Sequence, residues 1–357
     1  MEIKIQDRLI GPDHPTYFIA DIAANHDGDL DRAVQLIRLA KEAGAEAAKF
    51  QNFRAPNIVS DYGFRVLDGQ LSHQAEWTKS VVEVYDEASI PFEWTPTLKE
   101  ACGEVDIHYF SSPYDYEAID MLDPYVPAYK AGSGLMSWPE AIVLMAEKGK
   151  PVLIATGASD MSDVIRAVVM VREVNDQIVL MQCNTNYTAS PENYDHLNIN
   201  VLRTYAAMFP DIVLGLSDHT HSLAPIIGAV ALGARVIERH FTDDNDREGP
   251  DHKFAMNPDA WASMVEEVRI LERALGSTEK YVAGNEQDTY IVQRRCLRAA
   301  RDINTGEVFT REMVEPLRPA APGAIMPYEI DQVIGAKALM DIPFGKDLRW
   351  TDLGSAD

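Results

Sequence analysis

The stretch FIADIAANHDGDLDRAVQLIRLAKEAGAEAAKFQ spans residues 18–51 and contains two short apolar runs separated by one helical segment. Between the runs, residues 30–43 place apolar side chains three and four positions apart, which is typical of an amphipathic helix. Gly44 follows as the expected C-terminal cap, because glycine adopts the left-handed backbone conformation without strain. The stretch therefore predicts one strand–helix–strand unit. Its first turn, AANHDGD, lacks the GxGxxG pattern of dinucleotide-binding folds.

The same alternation of apolar run and helical segment continues along the chain. It defines eight β-rich runs: Tyr17–Ala20, Ala45–Phe50, Ile107–Phe110, Pro127–Lys130, Val152–Ala155, Ile178–Gln182, Ile212–Leu216 and Arg235–Glu238. One connection, residues 60–101, is long enough to hold an extra helix, predicted at Ala75–Ser89. Eight strands alternating with helices predict the α/β class and a closed parallel (β/α)8 TIM barrel.

The barrel pattern ends with the helix predicted at Pro258–Leu275, so the catalytic barrel is assigned to residues 1–276. Residues 277–290 are polar and are assigned as a linker. Residues 291–357 contain short β-rich pieces, Cys296–Ala300 and Glu307–Phe309, and predict a small, mainly β domain. A domain of this size has little core of its own, so we expect it to pack against another surface.

Composition and charge exclude several classes of protein. The chain has 357 residues, with 56 Asp+Glu against 32 Lys+Arg, which gives a net charge of −24. Such acidity disfavours binding to nucleic acid or to an anionic membrane surface. No apolar stretch approaches the ~18 residues needed to cross a membrane. The three cysteines are far apart, which is typical of reduced thiols, so we expect a cytoplasmic protein.

Polar residues cluster where the predicted strands end, which is where barrel enzymes carry their chemistry. Lys49 and Lys130 both end apolar runs, and a buried lysine is costly unless it meets an anion or a carbonyl group. With Ser112, Ser133 and Ser217 they could hold a phosphate or carboxylate. Two alternatives remain open. The lysines could pair with barrel carboxylates such as Asp21 or Glu238, or one could form a Schiff base with a carbonyl substrate.

His219 and His240 end the seventh and eighth strands, which are neighbours in a barrel. Two imidazoles in that position could hold a divalent metal ion that keeps open coordination positions. The alternative is a hydrogen-bonded structural pair of histidines. No third protein ligand is evident from the spacing, so the other ligands would be water or substrate.

Several motifs together resemble the sialic acid synthases and their relatives, which make nonulosonic acids. The matching stretches include residues 18–51 and then, in chain order, FSSPYD, PAYKAGSG, PVLIATGAS, GLSDHT, ERHFTD, GPDHKFAMNP and RRCLRAARDINTGEVFTREMVEPLRP. The resemblance covers nearly the whole chain. It implies a (β/α)8 barrel followed by a small antifreeze-like (SAF) domain.

The resemblance also implies a reaction. Phosphoenolpyruvate condenses with an open-chain hexosamine-type sugar, such as N-acetylmannosamine, and phosphate leaves by C–O cleavage. The implied metal, Mn²⁺ or Mg²⁺, would lie on His219 and His240. The residues implied to take part in catalysis are Asp21, Lys49, Lys130, Asp251 and Arg318. The residues implied to bind substrate are Gln51, Ser112, Ser133, Leu135, Asn184, Thr185, Tyr187 and Ser217.

In this family the antifreeze-like domain of one subunit covers the barrel mouth of its partner. The resemblance therefore implies a domain-swapped homodimer in which Arg318 is supplied in trans.

The sequence departs from the family pattern at four places. One is the turn after the sixth strand, CNTNY at residues 183–187, which leaves open which Asn or Thr would face phosphate. Asp21 stands where the family usually has Glu, Leu135 where it has an acidic residue after GSG, and Ala155 where it commonly has Ser. These changes leave the phosphoenolpyruvate half mostly intact and alter the sugar half. They suggest either a non-standard acceptor aldehyde or, at Leu135, sequence drift in which another residue takes over the contact of the missing carboxylate. The remaining alternative is a barrel that has lost activity and serves as a carbohydrate-binding or regulatory protein.

Overall fold

A computed structural model describes residues 2–67 and 71–355. The chain forms two compact units, Met1–Gly276 and Ser277–Asp357. No helix within the described ranges is both long and apolar enough to cross a membrane.

The first unit begins with a short antiparallel hairpin and continues with eight parallel strands. In chain order its strands are β1 (Ile3–Ile5), β2 (Arg8–Ile10), β3 (Tyr17–Asp21), β4 (Ala47–Asn52), β5 (His108–Pro113), β6 (Tyr129–Ala131), β7 (Val152–Ala155), β8 (Ile178–Cys183), β9 (Val213–Asp218) and β10 (Ala234–His240). Each predicted β-rich run overlaps one strand from β3 to β10. The prediction of a TIM-like barrel is confirmed.

Helices connect the strands of the first unit. They are α1 (Leu30–Glu42), α2 (Ala55–Ile58), α3 (Asp61–Val66), α4 (Val81–Ala88), α5 (Thr95–Glu104), α6 (Tyr116–Leu122), α7 (Pro139–Glu147), α8 (Met161–Arg172), α9 (Asn193–His196), α10 (Val201–Met208), α11 (Ala224–Ala231) and α12 (Pro258–Leu275). The extra helix predicted at Ala75–Ser89 is shorter in the structure. It corresponds to α4, which follows a 3₁₀ turn at Ser72–Glu76.

The strands form one sheet in the order β5-β4-β3-β10-β9-β8-β7-β6. β5 and β6, which end this hydrogen-bonded order, lie against each other, so the sheet curves into a nearly closed barrel. The register places Asp21 opposite Lys49 on one side and opposite His240 on the other. Polar residues at the strand ends therefore lie at the same level of the barrel.

Side chains along each strand alternate between the barrel interior and the helical layer. In β3, Tyr17 and Ile19 belong to the interior apolar cluster, whereas Phe18 and Ala20 pack with the helices. The hairpin contributes Ile3, Ile5 and Ile10 to the interior cluster. Continuing the alternation by two residues brings Asp21 to the interior. The apolar part of the interior thus supports a polar layer at the C-terminal ends of the strands.

The helix α1 shows how the outer layer is specified. Asp29 caps its N-terminus by accepting a hydrogen bond from the Arg32 amide, and Gly44 follows its end with φ +95°. Leu36 and Ile37 are fully buried against the strands. Each such side chain contributes about 1.5–3 kcal/mol of hydrophobic stabilisation.

The second unit contains short elements around its own apolar core. They are α13 (Gln287–Val292), β11 (Cys296–Ala299), β12 (Val314–Leu317), α14 (Ile330–Val333), β13 (Lys337–Ala338) and β14 (Leu353–Gly354). Glu307–Phe309 makes an isolated bridge from Val308 to Lys337 instead of the predicted strand. Leu297, Phe309 and Ile325 belong to a buried cluster, so this unit has more core of its own than its length suggested.

Candidate active site

The polar layer of the barrel is a network of buried ions. Lys49 Nζ lies 2.6 Å from Asp21 Oδ2 and 3.6 Å from Glu238 Oε2. Lys130 Nζ lies 2.9 Å from Glu238 Oε1. Two ammonium groups therefore face two carboxylates, and all four side chains are almost fully buried. The pairing of these lysines with barrel carboxylates, one of the two alternatives considered above, is present in the structure.

Hydroxyl groups surround this network. Ser217 Oγ donates to Glu238 Oε1 at 3.1 Å, and Lys49 Nζ donates to Ser112 Oγ at 3.3 Å. Ser133 Oγ accepts the Gly157 amide at 3.0 Å. A Cβ on Gly157 would lie 2.4 Å from the Thr185 side chain, so this close approach requires glycine. The three predicted serines thus lie on the strand ends around the two lysines.

Burial and charge act in opposite directions on these ions. Burial alone would raise the pKa of Glu238, but the ammonium groups of Lys130 and Lys49 hold the pKa at about 2. Burial raises the pKa of Asp21, although Lys49 opposes the shift. Burial disfavours the charged form of Lys130, but the carboxylate of Glu238 more than offsets this effect. The pKa of Lys130 is therefore raised. The firmly charged pair is therefore Lys130–Glu238.

The two predicted metal-binding histidines lie side by side above this layer, with ring centroids 5.3 Å apart. His219 Nδ1 donates to the Asn184 carbonyl oxygen at 3.0 Å, which leaves its Nε2 lone pair available. His240 Nδ1 has no hydrogen-bond partner among the described residues and lies 3.7 Å from Asp251 Oδ2. Burial lowers the pKa of both rings well below the usual histidine value, so both are neutral and able to coordinate a metal.

No cluster of three or more His, Cys, Asp or Glu side chains within the described ranges is arranged to hold a metal ion. The structure therefore offers a pair of imidazoles and not a complete set of protein ligands.

A cavity of about 590 Å³ opens beside the histidines. Seven of the predicted site residues line it: Gln51, Ser133, Leu135, Thr185, Tyr187, His240 and Asp251. Asp251 Oδ2 accepts the Ala24 amide at 3.2 Å, and burial raises the pKa of this carboxyl to about 7. Gln51 Nε2 donates to Asp21 Oδ2 at 3.4 Å and so connects the cavity to the ion network.

The other predicted residues lie away from the cavity lining. The residues buried in the polar layer are Asp21, Lys49, Ser112, Lys130 and Ser217, and His219 is buried above it. Asn184 lines a neighbouring hollow, and its side-chain amide donates to the His196 carbonyl oxygen. Arg318 is exposed in the second unit. Tyr187 packs edge-on against the His219 ring at 4.5 Å, so it covers the histidine pair.

Two features of the site were not assigned from the sequence. Glu238 was considered only as a possible ion-pair partner, yet it contacts both lysines. Its place two residues before His240 in β10 could have shown that it faces the interior. The second feature is the aromatic wall of the cavity, which the long β4–β5 connection contributes through Phe53, Phe64, Trp77 and Tyr85. The number of Phe, Tyr and Trp residues between Phe53 and Trp94 was its signal.

The NeuB family matches residues 36–280, and the SAF domain matches residues 294–354. The human N-acetylneuraminate-9-phosphate synthase is 32% identical, over 94% of this chain and 92% of its own. The N,N'-diacetyllegionaminic acid synthase of Legionella pneumophila is also 32% identical, over 94% of this chain and 93% of its own. The crystal structure of the Bacillus subtilis spore coat polysaccharide biosynthesis protein SpsE matches all of both chains, with 30% identity and a TM-score of 0.65.

Proposed function

The chain belongs to the NeuB family, and on this premise we propose that it is a phosphoenolpyruvate-dependent synthase of a nonulosonic acid. Two relatives carry the names of such synthases. The observation that carries the proposal is the buried pair of lysines, Lys49 and Lys130, set among serine hydroxyls next to a cavity of substrate size.

Phosphoenolpyruvate carries a carboxylate and a phosphate, and both need cationic partners when they leave water. Lys49 and Lys130 would bind these groups, with Ser112, Ser133 and Ser217 donating hydrogen bonds. Asn184 and Thr185, on the loop after β8, would assist. The present partners of the lysines are the carboxylates of Asp21 and Glu238, and Glu238 raises the pKa of Lys130, which keeps this ammonium group charged before the substrate arrives. They also hold the lysines apart from a carbonyl, which disfavours the Schiff-base alternative.

The reaction forms one carbon–carbon bond and breaks one carbon–oxygen bond. Carbon 3 of phosphoenolpyruvate attacks the sugar aldehyde, and the aldehyde oxygen takes a proton. Water adds at carbon 2 and loses a proton, and the bridging oxygen then departs from carbon 2 with the phosphate. The products are a 2-keto acid and inorganic phosphate, so no oxidant or reductant is needed. Asp21, Gln51 and Asp251 would contact the polar groups of the acceptor, and Tyr187 would cover it.

His219 and His240 would hold the divalent metal ion, Mn²⁺ or Mg²⁺. The neutral imidazoles, the Asn184 carbonyl that orients His219 and the unpartnered Nδ1 of His240 are compatible with this role. When bound, such an ion supplies Lewis-acid polarisation of a carbonyl oxygen.

We also propose that the protein acts as a domain-swapped homodimer in which Arg318 reaches the barrel of the partner. The support is the match of residues 294–354 to the SAF domain together with the family resemblance. A guanidinium group pairs well with phosphate and with carboxylate, so Arg318 is suited to contact either of these two groups of phosphoenolpyruvate.

The test is release of inorganic phosphate and of a 2-keto acid from phosphoenolpyruvate, with mixed open-chain hexosamines and Mn²⁺. We expect the two products in equal amounts and only when an acceptor is present. Borohydride should trap no lysine adduct. Failure of every acceptor to trigger phosphate release would favour the carbohydrate-binding alternative, and a trapped adduct at Lys49 or Lys130 would support a Schiff base.

A further inference from the structure

A buried ion pair lies directly behind the two histidines of the site. Asp218 ends β9 just before His219, and Arg239 stands just before His240 in β10. The register of the two strands places Asp218 opposite Arg239, and both side chains are fully buried. Successive side chains of a strand point to opposite faces of the sheet. The two histidines therefore turn toward the barrel interior, and this pair, which we call the outer ion pair, turns toward the helical layer.

The guanidinium group of Arg239 connects three segments of the chain. It donates to Asp218 Oδ2 at 2.9 Å, to the Thr220 carbonyl oxygen and to the Phe254 carbonyl oxygen at 3.5 Å. Asp218 in turn accepts the Thr220 amide at 3.3 Å and the Thr220 hydroxyl at 3.0 Å. His219 lies between Asp218 and Thr220, so a side chain of β10 holds the backbone on both sides of this histidine.

The third contact of Arg239 reaches a residue that packs on both imidazoles. The ring of Phe254 lies edge-on to that of His219, with centroids 5.8 Å apart, and edge-on to that of His240 at 4.8 Å. Neither Asp218 nor Arg239 is among the described residues that line the cavity. The outer ion pair therefore contacts the supports of the two histidines and not the space that a substrate would occupy.

Stability alone does not explain why charged residues occupy this place. Apolar residues of similar volume often give a protein equal or greater stability than a buried ion pair. A guanidinium group adds fixed geometry, because its planar fork donates hydrogen bonds in set directions. Geometry matters for these two imidazoles, since the part of the chain that the structure describes offers no third protein ligand arranged with them. Their spacing must then be set by the backbone that carries them.

We propose that the outer ion pair is a positioning element for the metal site. Asp218 and Arg239 hold the ends of β9 and β10 so that His219 and His240 keep the spacing that a divalent ion needs. An ion that binds to a preset pair of ligands does not have to order them, and so binds more tightly. The inference rests on the metal role proposed above, and the two residues act only through the histidines.

The experiment measures Mn²⁺ binding to the full chain without substrates, by electron paramagnetic resonance of the free ion. Arg239→Lys keeps the positive charge but loses the fork that reaches three acceptors. We expect its Kd for Mn²⁺ to rise at least about tenfold, as is typical when a residue that orients metal ligands is changed. At saturating Mn²⁺ the variant should recover most of the wild-type kcat, with the KM for phosphoenolpyruvate within about twofold. Wild-type affinity for Mn²⁺ in this variant would overturn the inference.

Two further variants separate positioning from stability. Asp218→Leu with Arg239→Met leaves no buried charge unpaired, so this double variant should fold and still bind Mn²⁺ at least about tenfold more weakly. Arg269→Lys is the matched control, because Arg269 pairs at 3.2 Å with Glu46, which directly precedes β4 at the other end of the strands. It should bind Mn²⁺ as the wild type does.

The outcomes distinguish this inference from the metal role on which it rests. A loss of Mn²⁺ affinity that follows the loss of urea-unfolding free energy equally in all three variants would show a purely structural role and overturn the inference. No Mn²⁺ binding by the wild-type chain would overturn the proposed metal role as well.

Discussion

At the residue scale, two-residue alternation explains which side chains meet in the site. His240 lies two steps beyond Val236, the last interior apolar residue of β10. Asp21, Lys49, Lys130 and Glu238 each extend the interior row of their strand by one step beyond the apolar cluster. The sequence could therefore predict that they share one layer of the barrel. It could not predict which lysine pairs with which carboxylate, because that choice depends on the barrel's curvature and on distances of less than an ångström.

The first prediction at this scale concerns Lys130. Lys130→Met removes a charge-assisted contact worth about 1.5–3 kcal/mol, so phosphoenolpyruvate binding should weaken at least tenfold. Lys148→Met is the control, because Lys148 forms a surface pair with Asp120, and such pairs contribute little. Isothermal titration with phosphoenolpyruvate measures the change. The variant leaves Glu238 with only the longer ion pair to Lys49, at 3.6 Å. Lys130→Met with Glu238→Gln therefore provides a folded comparison, and unchanged affinity in both would refute the role of Lys130.

The second prediction concerns the histidine pair. Removing divalent metal with a chelator should abolish turnover, and added Mn²⁺ should restore it. His240→Ala should abolish turnover and also weaken Mn²⁺ binding, as measured by electron paramagnetic resonance of the free ion. His221, outside the cavity lining, supplies the control variant His221→Ala. Full activity in the presence of the chelator would contradict the proposal that His219 and His240 hold a metal ion needed for turnover.

At the element scale, the loops after β3 and β10 are joined by a group of charged side chains. Asp27, in the first loop, accepts hydrogen bonds from Arg247 Nε at 2.8 Å and pairs with His252 Nε2 at 2.9 Å, both in the second loop. Arg32 at the start of α1 pairs with Asp243. Because the Ala24 amide also binds Asp251, these contacts fix the position of the cavity carboxyl.

Asp27→Asn should reveal this connection as a pH-dependent loss of stability. Burial would raise the pKa of Asp27, but hydrogen bonds from His252 and Arg247 outweigh it and the pKa is lowered. A lowered pKa in the folded state stabilises above the unfolded-state pKa, and this stabilisation is lost as the pH falls through the folded value. The variant should cost about 1–2 kcal/mol in urea unfolding at pH 7 and much less at pH 3. An equal loss of unfolding free energy at both pH values would contradict the proposed stabilisation by ionised Asp27.

The elements themselves were largely predictable. All eight parallel strands and the helix Pro258–Leu275 follow from the apolar pattern, because buried parallel strands and amphipathic helices have distinct periods. Glu307–Phe309 was wrong as a strand, since its backbone hydrogen bonds to residues 335–338 form only one isolated bridge, Val308 to Lys337, and no continuous ladder. The aromatic wall was missed because its residues lie in an irregular connection, where no periodicity shows which side chains face the cavity.

At the scale of the whole molecule, each unit has its own buried core, and the site described above lies within the barrel unit. The proposed homodimer adds Arg318 from a partner, and this can be tested by complementation. Arg318→Ala and Lys130→Met should each be nearly inactive alone. Mixed and reassembled, they should recover up to about a quarter of the activity, because some sites then combine two intact parts. No recovery in a mixture shown by light scattering to be dimeric would contradict supply in trans.

We propose that phosphoenolpyruvate loses phosphate through cleavage of its C–O bond as the sugar acid forms. The most direct measurement is the reaction in ¹⁸O-labelled water with Mn²⁺ and an accepted sugar, followed by mass analysis of the released phosphate. We expect phosphate without the label, because in the proposed reaction water attacks carbon 2 and the bridging oxygen leaves with phosphorus. Labelled phosphate would mean that water attacks phosphorus, and the protein would then be a phosphatase and not a synthase.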